Sequence, residues 1–227
     1  MNPEEKLKLI HNNLIFNYGS LNDEYPEQLM TITYLTGNEK VLELGGNIGR
    51  NSMIIASILK SQNNDHNYVS CEINKNDSSL LELNRNNNNF NFHIFNGTIS
   101  PIPLICKYEC WKAEIQTSEI IPLGYYKCNT VSWNEFKNIY DIDFDTLILD
   151  CEGGFYSILK EYSEILNNIK LIIMENDYST KEELLFVQDT LEKHNFSNVY
   201  SKPLNINNND DNMAYIYSHF FEVWIRK

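Results

Sequence analysis

The chain has 227 residues, of which 42% are hydrophobic, so it is long enough to bury the core of one domain with or without extensions. Its formal net charge of −13 and pI of about 4.8 disfavour DNA or RNA as the main partner, because an acidic protein repels phosphate backbones. No run approaches the ~18 apolar residues of a membrane-spanning helix. The first residues, MNPEEKLKLIHNNLIF, do not resemble a signal peptide. We therefore expect a soluble, cytoplasmic protein with no membrane partner.

The predicted elements begin with two short helices, over residues 4–17 and 26–35, which we interpret as an N-terminal helical cap covering residues 1–38. Buried strands then alternate with helices through the main domain, residues 39–227. The predicted strands are 40–45, 67–73, 89–95, 145–150 and 170–176, and the predicted helices are 51–60, 77–86, 154–166 and 181–195. This alternation predicts an α/β fold with a mostly parallel sheet and helices on both faces.

Two segments depart from the alternation. The stretches SNVYSKPL and AYIYSHFFEVWIR end the chain as predicted strands with no helix between them, which indicates a C-terminal β-hairpin. Residues 100–126 have mixed patterning. Because inserted segments at the carboxyl edge of such sheets often shape the substrate site, we interpret residues 100–126 as a substrate-side insertion.

The turn after the first strand, ELGGNIGRNS, is the strongest local signal for a ligand. Gly45, Gly46 and Gly49 do not have the G-x-G-x-x-G spacing of a dinucleotide site, and no P-loop lysine follows. Glu72 ends the next strand, where a carboxylate can accept both hydroxyls of a ribose. Glu43, just before the turn, suits a positively charged ligand. Together these residues predict S-adenosylmethionine, although a Gly-Gly turn or a strand-end acid taken singly is usually only structural.

The five cysteines do not suggest a disulfide framework, because their number is odd and most are isolated in sequence. Cys106 and Cys110 are four residues apart, but no second pair completes a zinc site. We expect reduced and mostly buried thiols.

These motifs resemble a known family. VLELGGNIGRNS resembles motif I of class I S-adenosylmethionine-dependent methyltransferases, and its Gly45-x-Asn47-x-Gly49 form resembles the FkbM-like methyltransferases. The segment beginning CEINKNDSSLLELNRNNN and the Asp-x-Glu-Gly pattern at Asp150, Glu152 and Gly153 are also similar to that family. Phe155 departs from it, because the family usually has an acid there. The resemblance covers roughly residues 40–180.

The resemblance implies a Rossmann-like class I methyltransferase fold, with a seven-stranded sheet whose last strand is reversed. It also implies methyl transfer to a hydroxyl of a sugar, nucleotide-sugar or other small metabolite. Combined with the turn, it gives a predicted cofactor-binding set of Glu43, Gly45, Gly46, Asn47, Gly49, Glu72, Asn96 and Asp150.

The predicted catalytic residues are Asp150, Glu152 and Glu175, with Asp177 converging on the same sheet edge; Asp150 or Glu152 would position or deprotonate the acceptor hydroxyl. Alternatively, Asp150 and Glu152 only cap the following helix. A second alternative is a magnesium-dependent O-methyltransferase with Asp150, Glu175 and Asn176 as Mg²⁺ ligands. A third is a cofactor-binding scaffold protein without catalysis, which the loss of an acid at Phe155 would favour.

Overall fold

The computed structural model describes residues 1–108, 113–206 and 210–227. Within them the strands are β1 (Val41–Leu44), β2 (Tyr68–Glu72), β3 (His93–Asn96), β4 (Thr98–Ile99), β5 (Leu104–Lys107), β6 (Ala113–Ile115), β7 (Tyr125–Lys127), β8 (Thr130–Val131), β9 (Thr146–Leu149), β10 (Leu171–Glu175), β11 (Phe196–Lys202) and β12 (Phe221–Arg226). The α-helices are α1 (Pro3–Asn13), α2 (Tyr25–Tyr34), α3 (Arg50–Lys60), α4 (Lys75–Asn87), α5 (Trp133–Tyr140), α6 (Gly154–Glu161), α7 (Lys181–Lys193) and α8 (Asp211–Ser218). Short 3₁₀ turns occupy Leu21–Glu24, Asp65–Asn67 and Ser163–Leu166.

The central sheet has seven strands in the order β11-β12-β10-β9-β1-β2-β3. Strands β3, β2, β1, β9 and β10 run parallel to one another. Strand β12 runs antiparallel to both of its neighbours, β10 and β11. The predicted seven-stranded, mostly parallel sheet with a reversed last strand is therefore confirmed.

The middle of this sheet follows directly from the sequence. Every residue of β1, β2 and β9 is buried, as expected for parallel strands covered by helices on both faces. The N-terminal helices join the same core, because Leu7 of α1 and Met30 of α2 belong to the buried cluster that contains the sheet. The predicted boundary of a cap at residue 38 remains a prediction.

The C-terminal hairpin prediction needs a correction. Strands β11 and β12 do pair antiparallel, but α8 lies in their connection, so the expectation of no intervening helix was wrong. The apolar and aromatic residues of AYIY suggested a strand, yet the Asp210 side chain accepts hydrogen bonds from the amides of Asn212 and Met213 and starts a helix there. The helix predicted over 154–166 likewise divides at Tyr162 into α6 and a 3₁₀ turn.

The predicted insertion contains a small sheet of its own. Strands β6, β5 and β7 pair antiparallel in that order, and β4 pairs with β8 in a separate parallel ladder. Residues 109–112 of this segment, including Cys110, lie outside the described residues. Across the described parts of the chain, no helix has the length and apolar character required to cross a bilayer.

Candidate functional site

A cavity of about 730 Å³ opens at the carboxyl edge of the parallel strands. It lies where the chain order reverses, because β1 has β2 on one side and β9 on the other. Open α/β sheets bind ligands at this switch point, and the volume is in the range of small-molecule sites. Gly45 and Asn47 from the turn after β1, Glu72 from β2, Asp150 after β9 and Glu175 of β10 all line it.

The Glu72 carboxylate is held in the cavity wall by backbone amides. The Asn47 amide donates to Oε2 at 2.7 Å, and the Asn74 amide donates to Oε1 at 2.6 Å. Glu72 is only 6% exposed, and burial raises its pKa to about 7 although both amides favour the ionised form. The carboxylate is thus fixed in orientation and titrates near neutral pH.

The glycines of the turn serve packing more than ligand access. Gly45 has φ +94°, and a Cβ there would lie 1.5 Å from the Asp150 carbonyl oxygen. A Cβ on Gly46 would meet Ser70 Oγ at 2.1 Å, and one on Gly49 would meet Leu81 Cδ1 at 2.7 Å. Of the three, only Gly45 lines the cavity. Neighbouring elements therefore occupy the space beside each of these three glycines.

Glu43 also lies below the turn and does not line the 730 Å³ cavity. Its carboxylate is 2% exposed and accepts hydrogen bonds from Ser52 Oγ at 2.6 Å, Tyr68 Oη at 2.5 Å and Ser70 Oγ. Burial raises its pKa, and the hydroxyl donors oppose that shift. Glu43 thus lies in a supporting position beneath the turn, and its predicted contact with a cationic ligand stays a prediction.

Asn96 is the second predicted cofactor residue that the structure places elsewhere. Its side chain is exposed and donates to the Glu72 carbonyl oxygen at 2.9 Å, so it ties the ends of β2 and β3 together. The residues that follow β3, Gly97 to Ser100, line the cavity instead.

The acids predicted at the strand ends do converge. Carboxylate oxygens of Asp150, Glu175 and Asp177 all lie within 4.8 Å of one another. Burial raises the pKa of Asp150 well above its usual range, and the neighbouring Asp177 adds to the shift. Burial, followed by the charge of Asp150, raises the pKa of Glu175 to about 12. Asp150 and Glu175 therefore retain protons at neutral pH. Asp150, Glu175 and Asp177 are called the carboxyl cluster below.

Two alternatives from the sequence concern Asn176 and the start of α6. Asn176 is fully buried and donates through Nδ2 to the His219 carbonyl oxygen at 2.5 Å, and its predicted role as a metal ligand stays a prediction. Asp177 takes the place predicted for it in the cluster. Helix α6 has Gly153 as its N-cap with no side-chain cap hydrogen bond. The alternative that Asp150 and Glu152 stabilise this helix through its dipole stays a prediction.

The N-terminal segment contributes acids that sequence reasoning missed. Glu24 and Glu27 line the cavity, and Glu24 accepts from Arg50 Nη1 and from the Asn51 amide, both at 3.2 Å. Burial raises the pKa of Glu24 to about 7 despite the opposing charge of Arg50. The spacing of three residues between Glu24 and Glu27 puts both acids on one side of a helical turn. This spacing is the feature of the sequence from which the pair could have been predicted.

The cavity is strongly acidic as a whole. Among the described residues that line it, Arg50 is the one cation, and two acids of the N-terminal segment already pair with it. The lining carboxyl residues are Asp23, Glu24, Glu27, Glu72, Asp77, Asp150, Glu152, Glu175 and Glu183. Such a lining favours a cationic ligand or one rich in hydrogen-bond donors, and it disfavours a phosphate-rich one.

Comparison with known proteins identifies the fold. No protein-family model matches the chain, and no curated protein matches it in sequence. Among solved structures, the O-methyltransferase from Bacillus cereus in complex with SAH has a TM-score of 0.50 and 14% identity, over 100% of this chain and 91% of that one. This chain has a Rossmann-like methyltransferase fold.

Two further structures agree with that fold. An uncharacterized protein from Listeria monocytogenes serotype 4b has a TM-score of 0.51 and 12% identity over 88% of this chain. The match covers 66% of that protein, so this chain spans just under two thirds of its length. A candidate tRNA (m1A22) methyltransferase from Streptococcus pneumoniae has a TM-score of 0.50 and 10% identity, over 87% of this chain and 68% of that one.

We predict that Gly45→Ala lowers the free energy of unfolding by more than about 3 kcal/mol, since it adds both backbone strain and a clash with the Asp150 carbonyl. Urea unfolding followed by circular dichroism measures the change. Gly124→Ala is the matched control, because Gly124 has φ +86° but no atom within 4 Å of the new Cβ, so we expect a loss of about 1 kcal/mol. Equal losses in the two variants would contradict the packing explanation.

Proposed function

We propose that this protein is an S-adenosylmethionine-dependent methyltransferase that acts on a hydroxyl of a sugar or other small metabolite. A nucleotide-sugar, which the family resemblance also allows, fits the acidic cavity less well because of its phosphates. The observation that carries the proposal is the arrangement of one cavity, with the amide-held Glu72 carboxylate on one side and the carboxyl cluster on the other. The Bacillus cereus O-methyltransferase, which shares the fold, is in complex with SAH, and this supports the choice of cofactor.

The residues present fit that cofactor. The two amides occupy only part of the accepting capacity of the Glu72 carboxylate, so it can still accept the two hydroxyls of a ribose. Ile73 and Ile99 line the same cavity and offer apolar surface to a base. The acidic lining suits the positive charge of the methionine end. When bound, S-adenosylmethionine supplies a methyl group on a sulfonium centre.

The chain's own contribution is to place the acceptor and to move one proton. Asp150, Glu152 and Glu175 line the cavity and can accept hydrogen bonds from an acceptor hydroxyl. In the free protein Asp150 holds a proton, because burial raises its pKa. A positive charge beside it would favour the ionised form, and that form is a stronger base than an ordinary aspartate and can take the hydroxyl proton as the oxygen attacks. Holding that oxygen in line removes much of the entropic cost of the reaction.

The finer assignment to FkbM-like methyltransferases rests on the motif residues Gly45, Asn47 and Gly49 and on the Asp-x-Glu-Gly segment. Ionised carboxylates only accept hydrogen bonds, so an acidic cavity matches a polyhydroxylated acceptor that brings several donors. The same lining would repel a nucleic-acid backbone, which supports a small-molecule acceptor. Phe155, which departs from the family pattern, is 1% exposed and lies in the core, so it takes no part in the cavity.

We predict that Asp150→Asn reduces methyl transfer by about 100-fold or more, since the amide cannot accept the hydroxyl proton. Methyl release over a panel of sugar and nucleotide-sugar acceptors is the measurement, and calorimetry with S-adenosylmethionine reports cofactor binding separately. Glu183→Gln is the matched control, because Glu183 lines the same cavity from α7, away from the strand ends; it should keep near-normal turnover.

Unchanged turnover in Asp150→Asn would contradict the assigned role. Cofactor binding by the wild-type protein without turnover of any acceptor would favour the non-catalytic alternative, and the absence of cofactor binding would refute the proposal itself.

We predict that S-adenosylhomocysteine binds more tightly as the pH rises through about 7. Burial raises the pKa of Glu72 from 4.5 to about 7, so the carboxylate that accepts the ribose hydroxyls forms only near that pH. Below it, affinity should fall by up to about tenfold per pH unit. Calorimetric titrations from pH 5.5 to 8.5 measure the dependence. Glu72→Gln should bind weakly at every pH and lose this dependence; an unchanged profile in that variant would contradict the assignment.

A second candidate is a metal-assisted form of the same reaction, and the carboxyl cluster is the specific observation that favours it. Hard divalent cations prefer carboxylate oxygens, and a bound cation would release the protons that burial retains on Asp150 and Glu175. Asp150, Glu175 and Asp177 would hold the ion, which differs from the predicted set by replacing Asn176 with Asp177.

For this candidate we predict that chelator treatment abolishes turnover and that Mg²⁺ restores it. Calorimetry with Mg²⁺ alone should show binding with proton release in the wild-type protein and none in Asp177→Asn. Asp143→Asn is the control, because Asp143 is exposed and precedes β9, whereas Asp150 follows that strand; this variant should bind as the wild type does. Full turnover in chelator would exclude the metal-assisted form and leave the proposal above intact.

A further inference from the structure

The fold brings together two cysteines that the sequence separates by 22 positions. Cys106 in β5 and Cys128 directly after β7 have their Sγ atoms 2.9 Å apart, and both thiols are free. A disulfide bond is about 2.05 Å long, so the two sulfurs need to approach by less than 1 Å to bond. In the sequence, Cys106 is closer to Cys110, at a spacing of four residues.

Strand pairing explains the contact. Cys106 stands opposite Tyr126 in the antiparallel ladder of β5 and β7, and Cys128 is two residues further on, so both side chains point to the same face. The Cys128 amide donates to the Leu104 carbonyl oxygen at 2.9 Å, which extends the ladder past Cys128 and fixes its position. The pair is therefore held by backbone hydrogen bonds on both strands.

The two thiols are also chemically unequal. The Cys128 thiol donates to Cys106, which lowers the pKa of Cys106 and raises that of Cys128. Cys106 is thus the member that more readily becomes a thiolate, and the thiolate is the reactive form of cysteine. Both residues are nearly fully buried, at 0% and 3% exposed, so a reagent must be small or must enter when the short sheet opens locally.

We propose that Cys106 and Cys128 form a reversible intramolecular disulfide on exposure to a peroxide. The Cys106 thiolate attacks one peroxide oxygen and breaks the O–O bond, giving a sulfenic acid and hydroxide. The Cys128 sulfur then attacks the Cys106 sulfur and releases the hydroxyl group as water once the Cys128 proton is transferred. In total, two thiols lose two electrons and two protons, and one hydrogen peroxide becomes two waters.

The bond would brace one wall of the cavity. Leu104 of β5 and Ala113 and Ile115 of β6 line the cavity, and β6 lies between the two cysteines in sequence. Closing the 106–128 loop covalently restricts the opening of β5 from β7, so amide hydrogen exchange in these strands should slow after oxidation.

The test treats the full-length protein with hydrogen peroxide, removes the excess with catalase, alkylates remaining thiols under denaturing conditions and maps the peptides by mass spectrometry. We expect one linked peptide pair joining Cys106 and Cys128, 2 Da lighter than the two reduced peptides, with reactive thiols falling from five to three and returning after dithiothreitol. Cys71→Ser and Cys110→Ser are the matched controls and should retain the link.

Cys106→Ser and Cys128→Ser should each abolish the link. If either variant fails to fold, the wild-type peptide map still decides the question. A link to Cys110, or alkylation or over-oxidation of both residues without a link, would overturn the proposal. The readout is a mass and not turnover, so this result stands apart from the outcome for methyl transfer.

Discussion

The close approach of Gly45 to the Asp150 carbonyl is the constraint on which the site depends. A side chain at Gly45 would overlap that oxygen, so only glycine allows the turn after β1 to pack directly on the end of β9. The Asp150 amide in turn donates to the Leu44 carbonyl oxygen at 3.0 Å. This contact places the turn beside Asp150. Because the Asn47 amide of the same turn holds the Glu72 carboxylate, the turn also links Glu72 to the carboxyl cluster.

The second organising feature is negative charge that the chain does not neutralise. Burial of several carboxyl groups in one cavity is costly, and Arg50 is the one cation among the described lining residues. The pKa shifts of Asp150 and Glu175 show how the free protein bears this cost, since protons replace a counter-charge. A ligand that brings positive charge or several hydroxyl donors reduces the same free-energy cost. Burial of these carboxyl groups therefore destabilises the free protein and favours binding of such a ligand.

The fold could be predicted where a single strong pattern decides the element. The runs around Val41, Tyr68 and Leu147 are continuously apolar because both faces of these strands are buried, and their order in the chain implies a parallel sheet. The AYIY stretch was misread because a short run of apolar and aromatic residues is compatible with either a strand or a helix. Asn176 and Asp177 differ by one position, and only the direction of the chain after β10 decides which of them approaches Asp150 and Glu175.

The sequence could not predict where Glu24, Glu27 and the Cys106–Cys128 pair lie in the folded protein. Each depends on which elements meet in space, and neither helix periodicity nor residue spacing carries that information. The family resemblance led to Asp150 and Glu72 because the ends of successive parallel strands share one edge. It did not reveal that Glu43 and Asn96 support the site from below and from the side.

The turn itself explains why this site suits a nucleoside with a cationic tail and not a dinucleotide. Dinucleotide folds present free amides and a helix N-terminus to a pyrophosphate. Here the Gly45 and Gly46 amides donate to the Cys71 carbonyl oxygen, and the Asn47 amide donates to Glu72. The Asn51 amide near the start of α3 is taken by the Glu24 carboxylate. A pyrophosphate would meet occupied donors and a carboxylate, whereas a positively charged group would meet an acceptor already in place.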